Sequence, residues 1–419
     1  MTIAPARVIA VRFASAAAAV AVCLTPVAAR RAVETPQQSA TFTSRVNMLA
    51  VNVRVIDRDG QPILGLQPDD FTVSINHHDR RVVSADLVHY STTPPLANIA
   101  PPRLTPGAVP TDGRVFILAV DEASFSSGGI KPALQAAQRF VANLRPADMV
   151  GLYVYPFERP RLDLTHDHQA VRDALGHLSG QREDRHGQYL LTPSEVIDIT
   201  AGDRDALQRV VAAECPVAAG EMPDVGCPYT ISAEASMAAA YYESEASQRI
   251  YGLGMLIQDL GDLPGRKTLL VVSGGLLAAN RAGAHPDIQA FMSRLGEEAA
   301  RSNVDTYVIH LDDTYLNAFS VSRPLSRRAA DQTRSVMADE SAYADGLIRL
   351  ATETGGAYLG VKAGTGDIAF GRVLRETMAY YLLGVEPTPE DWDGKKLVVQ
   401  VKTRARGATV RALREVIAK

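Results

Sequence analysis

Within residues 114–146 the apolar positions change their period once, and the rest of the chain can be read outward from that change. Val115 to Val120 are an unbroken apolar run, short enough for a strand buried on both faces of a parallel sheet, and Asp121 ends it. After a small polar loop, residues 124–129, apolar residues return at Ile130, Leu134, Ala137, Val141 and Leu144, the three-four spacing of one helix face. The unit is strand, acidic loop, helix. Open parallel sheets bind ligands outside the carboxyl ends of their strands, so Asp121 stands where such folds put their chemistry.

The alternation continues downstream. Strands are expected at residues 149–155, 269–272, 305–311 and 357–361, with helices at 167–178, 242–260, 291–302, 343–354 and 367–378. Gly355-Gly356 supplies a helix stop. Upstream the period is two: Val51, Val53 and Val55 face one way while Asn52 and Arg54 face the other, and further strands are expected at 71–75 and 82–90. This amino-terminal β unit is too short to close a sandwich alone. Residues 380–384, 396–402 and 409–414 also read as strands and are candidates for the missing ones.

The expected fold class is α/β: a doubly wound, mostly parallel, Rossmann-like sheet inserted in a β-sandwich formed by amino- and carboxy-terminal strands. Residues 44–92 would be one half of the sandwich and 380–419 the other. A Pro-rich connector, 93–112, leads into an α/β domain, 113–379, which contains an irregular insertion at 179–232.

The first 29 residues read as an export signal followed by a linker, 30–43. Arg7 and Arg12 supply positive charge, residues 13–24 an apolar run, and Val27-Ala28-Ala29 a small-residue cleavage site. The other reading is an uncleaved anchor. Export implies a periplasmic or extracellular protein with no membrane span after signal removal. In an oxidising compartment Cys215 and Cys227 would pair, closing a short loop worth about 3 kcal/mol. A net charge of −4 over 419 residues argues against a nucleic-acid partner held through phosphates.

Five pieces in order carry a family resemblance: VNVRVIDRDGQPILGLQPDDFTV from Val51, RVFILAVDEASF from Arg114, LPGRKTLLVVSGGL from Leu263, LATETGGAYL from Leu350 and YYLLGVEP from Tyr380. Together they resemble a von Willebrand factor type A domain, and more closely the VWFA-related family described from acidobacteria. The resemblance implies a metal-ion-dependent adhesion site, where an Asp-x-Ser-x-Ser loop, a distant Thr and a neighbouring acid hold a divalent cation through oxygen ligands. Here the pattern is degenerate. Asp121 matches, but Ala123 and Phe125 stand at the serine places, and Ser273-Gly274-Gly275 stands where an acid belongs. Ser124 and Ser126 could substitute by a shift of one residue, with Thr192 as the distant threonine and Ser273 beside them, giving a weak Mg²⁺ site. The alternative is that Asp121 caps its loop or helix.

Other motifs point nowhere specific. Gly265-Arg266-Lys267-Thr268 precedes a strand rather than opening a helix, so it is not a phosphate loop. His77-His78 and the pair His166 and His168 read as solvated turn histidines. The resulting expectation is an exported, non-enzymatic module that binds a protein ligand through a loop crown comprising Asp121, Glu122, Phe125, Ser273, Gly274, Asp312 and Asp313. Two other classes are a secreted hydrolase using Asp121 with Asp312-Asp313 as acid and base, and a purely structural envelope component.

Overall fold

The computed structural model describes residues 48–90, 113–157, 161–183, 187–216, 222, 224–263, 265–281, 283–319, 332–362, 366–392, 396–412 and 415–417. The export signal, the linker and the Pro-rich connector lie outside the described residues.

Four strands come first: β1 (Leu49–Ile56), β2 (Phe71–Ile75), β3 (His78–Arg80) and β4 (Val82–His89). The central region then runs β5 (Val115–Asp121), α1 (Lys131–Ala142), β6 (Met149–Tyr155), β7 (Arg161–Thr165), α2 (His168–Gly176), α3 (Pro193–Thr200), α4 (Arg204–Glu214) and α5 (Cys227–Gly261). It continues through β8 (Lys267–Ser273), α6 (Gln289–Arg301), β9 (Val304–Asp312), α7 (Thr314–Ala318), α8 (Gln332–Glu353), β10 (Ala357–Lys362) and α9 (Gly366–Glu376). The last strands are β11 (Ala379–Val385), β12 (Lys396–Thr403), β13 (Thr409–Ala412) and β14 (Glu415–Ile417).

The expectation of a mixed α/β chain with a mostly parallel sheet holds. Six strands lie in the order β10-β9-β8-β5-β6-β7, all parallel except the edge strand β7, which runs antiparallel to β6. Apolar side chains of β5 divide between the two faces, which is why its run is unbroken in sequence. Phe116, Leu118 and Val120 join a core with Phe140 of α1 and Phe370 of α9. Ile117 and Ala119 join the opposite core, with Leu253 and Leu256 of α5, Met292 of α6 and Leu350 of α8. Helices therefore cover both faces.

Strands from the two ends of the chain share the remaining sheets, in the orders β13-β1-β11-β4 and β14-β12-β2-β3. Val51 lies opposite Leu383 and Val73 opposite Val401, both in antiparallel register. One apolar cluster draws on both sheets, among them Val53, Val73, Tyr381, Leu383 and Leu397.

Arg54 corrects a simple reading of period two. On the polar face of β1 Ala50 is exposed and Asn52 half-buried, but Arg54 is buried, lies over the Tyr307 ring at 4.9 Å, donates to the Tyr307 hydroxyl and pairs with Asp305 at 3.0 Å. Tyr307 in turn donates to Glu376 at 2.9 Å, which also accepts from Arg372 and Arg411. A buried ionic network thus joins the terminal strands to the parallel sheet.

The segment read as irregular, 179–232, contains α3, α4 and the first turns of α5. Helix α5 is 35 residues long and begins at Cys227, not near 242. Its first half buries one residue per turn on one face, Cys227, Ile231, Ala235 and Ala239, two of them alanines, so the hydrophobic contrast that marks a helix is weak there. Cys215 and Cys227 are joined in a disulfide, as expected, tying the end of α4 to the start of α5.

Candidate functional site

Strand β5 delivers Asp121 to the carboxyl edge of the parallel sheet, where the chain turns through one short 3-10 turn, Glu122–Ser124. Asp121 is only 1% exposed. Its partner is Arg249 of α5, itself 5% exposed, whose Nε lies 3.1 Å from each carboxylate oxygen and whose Nη2 also donates to Oδ2. Ser273, the last residue of β8, donates its hydroxyl to Asp121 Oδ2 at 2.8 Å. The same Nη2 reaches the Gly275 carbonyl, closing the set. Burial pushes the Asp121 carboxyl above its ordinary range, while the Arg249 guanidinium and the Ser273 and Ser124 hydroxyls pull the other way.

Asp121 begins the 3-10 turn but makes no side-chain cap hydrogen bond there, so the capping reading does not hold. The residues also do not fit a divalent cation. A guanidinium already takes both oxygens of the one carboxylate in the Asp-x-Ser-x-Ser position. Ser124 donates to the Asp121 carbonyl at 2.7 Å and accepts from Gly274 N at 2.8 Å, which makes it a loop tie. Ser126 accepts from Gly129 N at 3.1 Å. Thr192 is the N-cap of α3, its hydroxyl accepting from Glu195 N within a capping box. Of the expected ligands, then, only Ser124 and Ser273 touch Asp121. Among the described residues no group of three or more His, Cys, Asp or Glu is placed to hold a metal.

No family model and no curated relative matches the chain. Among solved structures it is similar to one described as the SpRpn10 VWA domain, at 11% identity over 63% of this chain and 96% of that chain, with a TM-score of 0.26. At that score the likeness adds nothing to the strand order itself.

The expected binding crown needs correction as well. Asp121, Glu122, Phe125, Ser273, Gly274 and Asp313 are all buried, and Asp312 is half-buried with its carboxylate accepting from Thr314 N at 2.9 Å. Phe125 is fully enclosed in the core against α1. The physical cause is the segment after α2, which crosses the acidic loop. Gln181 N donates to the Glu122 carbonyl and Arg182 N to the Phe125 carbonyl, each at 2.9 Å. Arg182 Nη1 then reaches the Ser124 carbonyl at 3.1 Å and Asp313 at 3.2 Å. Behind the loop, buried His310 contacts the Tyr358 hydroxyl at 2.7 Å and the Gly274 carbonyl at 3.3 Å. Burial lowers its pKa, which favours the neutral ring.

What remains open at this edge is a cavity of about 100 Å³ whose wall includes Ser124, Arg182, Tyr242, Arg249, Asn317 and Tyr343. Outside it, α7 and its C-cap residue turn Tyr315, Leu316 and Phe319 to solvent at 61%, 61% and 50% exposure, with the Tyr315 and Phe319 rings 4.8 Å apart. Sequence reading missed both Arg249 and α7. Arg249 carried a signal: it falls in register with Leu253, Leu256 and Leu260 on the apolar stripe of α5, where a lone arginine demands a buried anion.

Proposed function

We propose that the chain is an exported protein-interaction module of type A architecture that works without a bound cation and engages its partner at the carboxyl edge of the parallel sheet. The observation that carries this reading is the exposed apolar group on α7. Single exposed apolar residues are ordinary, but an aromatic pair with an adjacent leucine, set beside a cavity at the ligand-binding edge of such a sheet, has the composition of an interface anchor. The order of sequence pieces resembling a type A domain supports the architecture, and the disulfide is compatible with export.

The arrangement of acids supports binding over acid–base chemistry. Asp121 and Asp313 sit in separate arginine pairs, with Arg249 and Arg182, and Asp312 accepts from Thr314 N, so each acid of the hydrolase reading is engaged in an internal contact. The test uses the full chain as bait against envelope extract, beside Tyr315→Ser/Phe319→Ser with matching circular dichroism. A partner held by the parent and lost from the variant is expected. Equal retention of the same partners by both would overturn the reading.

A further inference from the structure

A second, larger opening lies between α5, the end of α3 and the segment that leads into α6, a groove of about 710 Å³. It shares no lining residue with the cavity at the sheet edge. Its size is within the range of about 300–1,000 Å³ found for organic-ligand sites. Three hydroxyls on its wall have their protons committed inside their own helices. Thr200 donates to the Val196 carbonyl at 2.8 Å, Ser232 to the Pro228 carbonyl and Ser236 to the Ser232 carbonyl, each at 2.9 Å. What each still offers is lone pairs. Glu243, the only acid among the described lining residues, accepts from His285 Nδ1 at 2.8 Å and from Asp287 N at 3.2 Å, both on Oε2. Among the described residues Glu243 Oε1 and His285 Nε2 have no hydrogen-bond partner. Donation from Nδ1 makes Nε2 an acceptor on the neutral imidazole. Phe291, in the first turn of α6 and 46% exposed, adds an apolar ring to the same wall.

We propose that this groove binds a neutral saccharide of one or two rings, whose hydroxyls donate to Glu243, His285 and the helix hydroxyls and whose C–H face packs on Phe291. The inference goes beyond protein interaction and does not rest on it. A wall of acceptors calls for a ligand rich in donors, which leaves polyols and cations and disfavours anions. A cation would need a negative charge of its own, whereas the one carboxylate here is already shared by an imidazole N–H and a backbone N–H. A sugar ring carries both kinds of surface the groove presents, hydroxyls at its edge and an apolar face to lie on an aromatic one.

The probes are cellobiose and N,N′-diacetylchitobiose as neutral sugars and N-acetyllysine amide as the cation. Each is titrated by ligand-observed NMR into the full chain, Glu243→Gln and Phe291→Ala. Both side chains are partly exposed, so the variants should fold, which matching circular dichroism checks. At least one sugar should bind in the millimolar range, identifying the ring class, and the lysine probe should not. Affinity should fall at least about tenfold in Glu243→Gln, the size of one hydrogen bond to a charged group. Phe291→Ala should weaken binding by a similar factor, through loss of the ring face. Failure of both sugars to bind, sugar binding unchanged in either variant, or preference for the lysine probe would each overturn the proposal.

Discussion

The guanidinium of Arg249 engages both carboxylate oxygens of Asp121 across 128 residues of sequence. Each side chain is buried, so each is stable in place only because the other is there. Removing one partner leaves an uncompensated buried charge. Arg249→Met should destabilise the fold by about 3–5 kcal/mol. Asp121→Leu/Arg249→Met should recover more than half of that loss, because apolar residues of similar volume replace a buried pair at little cost. Urea unfolding of the two variants decides it, and a double variant no more stable than the single would show that the pair is not the source of the loss.

The entry to the parallel sheet predicts a defined acid sensitivity. Asp148 is fully buried just before β6 and accepts from Arg114 Nη2 at 2.7 Å and Arg145 Nη2 at 2.9 Å. Burial pushes its carboxyl up, but the hydrogen bonds and charge of Arg114, then those of Arg145, outweigh this and hold it at about 2. An unfolded aspartate titrates near about 3.9. The native carboxyl being the stronger acid, its stabilisation is fully present above that value and is lost as pH falls through about 2. The stability gap between the parent and Asp148→Asn should therefore be constant above about pH 5 and shrink between about 4 and 2. A gap that does not vary with pH would refute the assignment.

Gly346, in the middle of α8, lets that helix meet the loop after β8. Leu276 N donates to the Tyr343 carbonyl at 3.1 Å, and a methyl group at position 346 would overlap the Leu276 carbonyl. An exposed helical glycine changed to alanine ordinarily gains up to about 1 kcal/mol. Here Gly346→Ala should instead cost about 1–3 kcal/mol, as overpacked contacts do. It should also broaden the resonances of Leu276 and Leu277 in an amide spectrum, since the loop must shift to make room. A stabilised variant with an unchanged spectrum would contradict this packing.

The parallel strands were legible because a strand buried on both faces has to be apolar throughout, as Val115 to Val120 are. Their order was not, nor was β7, whose alternating exposure over five residues is too short and too polar to stand out. The helices within 179–232 had a readable signal in the capping box of Thr192 and Glu195 with Pro193 at the first turn. The small residues at the start of α5 gave no comparable contrast.

At the candidate site the separation is sharper. The alternation of strands and helices, the β character of both ends, the place of Asp121 at a strand terminus and the cysteine pair all follow from local periodicity and residue chemistry, which one-dimensional order expresses directly. That Asp121 faces an arginine rather than a cation, that Phe125 and Ser273 are enclosed, and that Tyr315 and Phe319 are open to solvent was decided only by tertiary packing. A hydrophobic period states which side of an element turns inward. It does not state which inward charge meets which, because that depends on where α5 crosses the end of β5, and the strand and the helix approach each other only when the whole sheet is assembled.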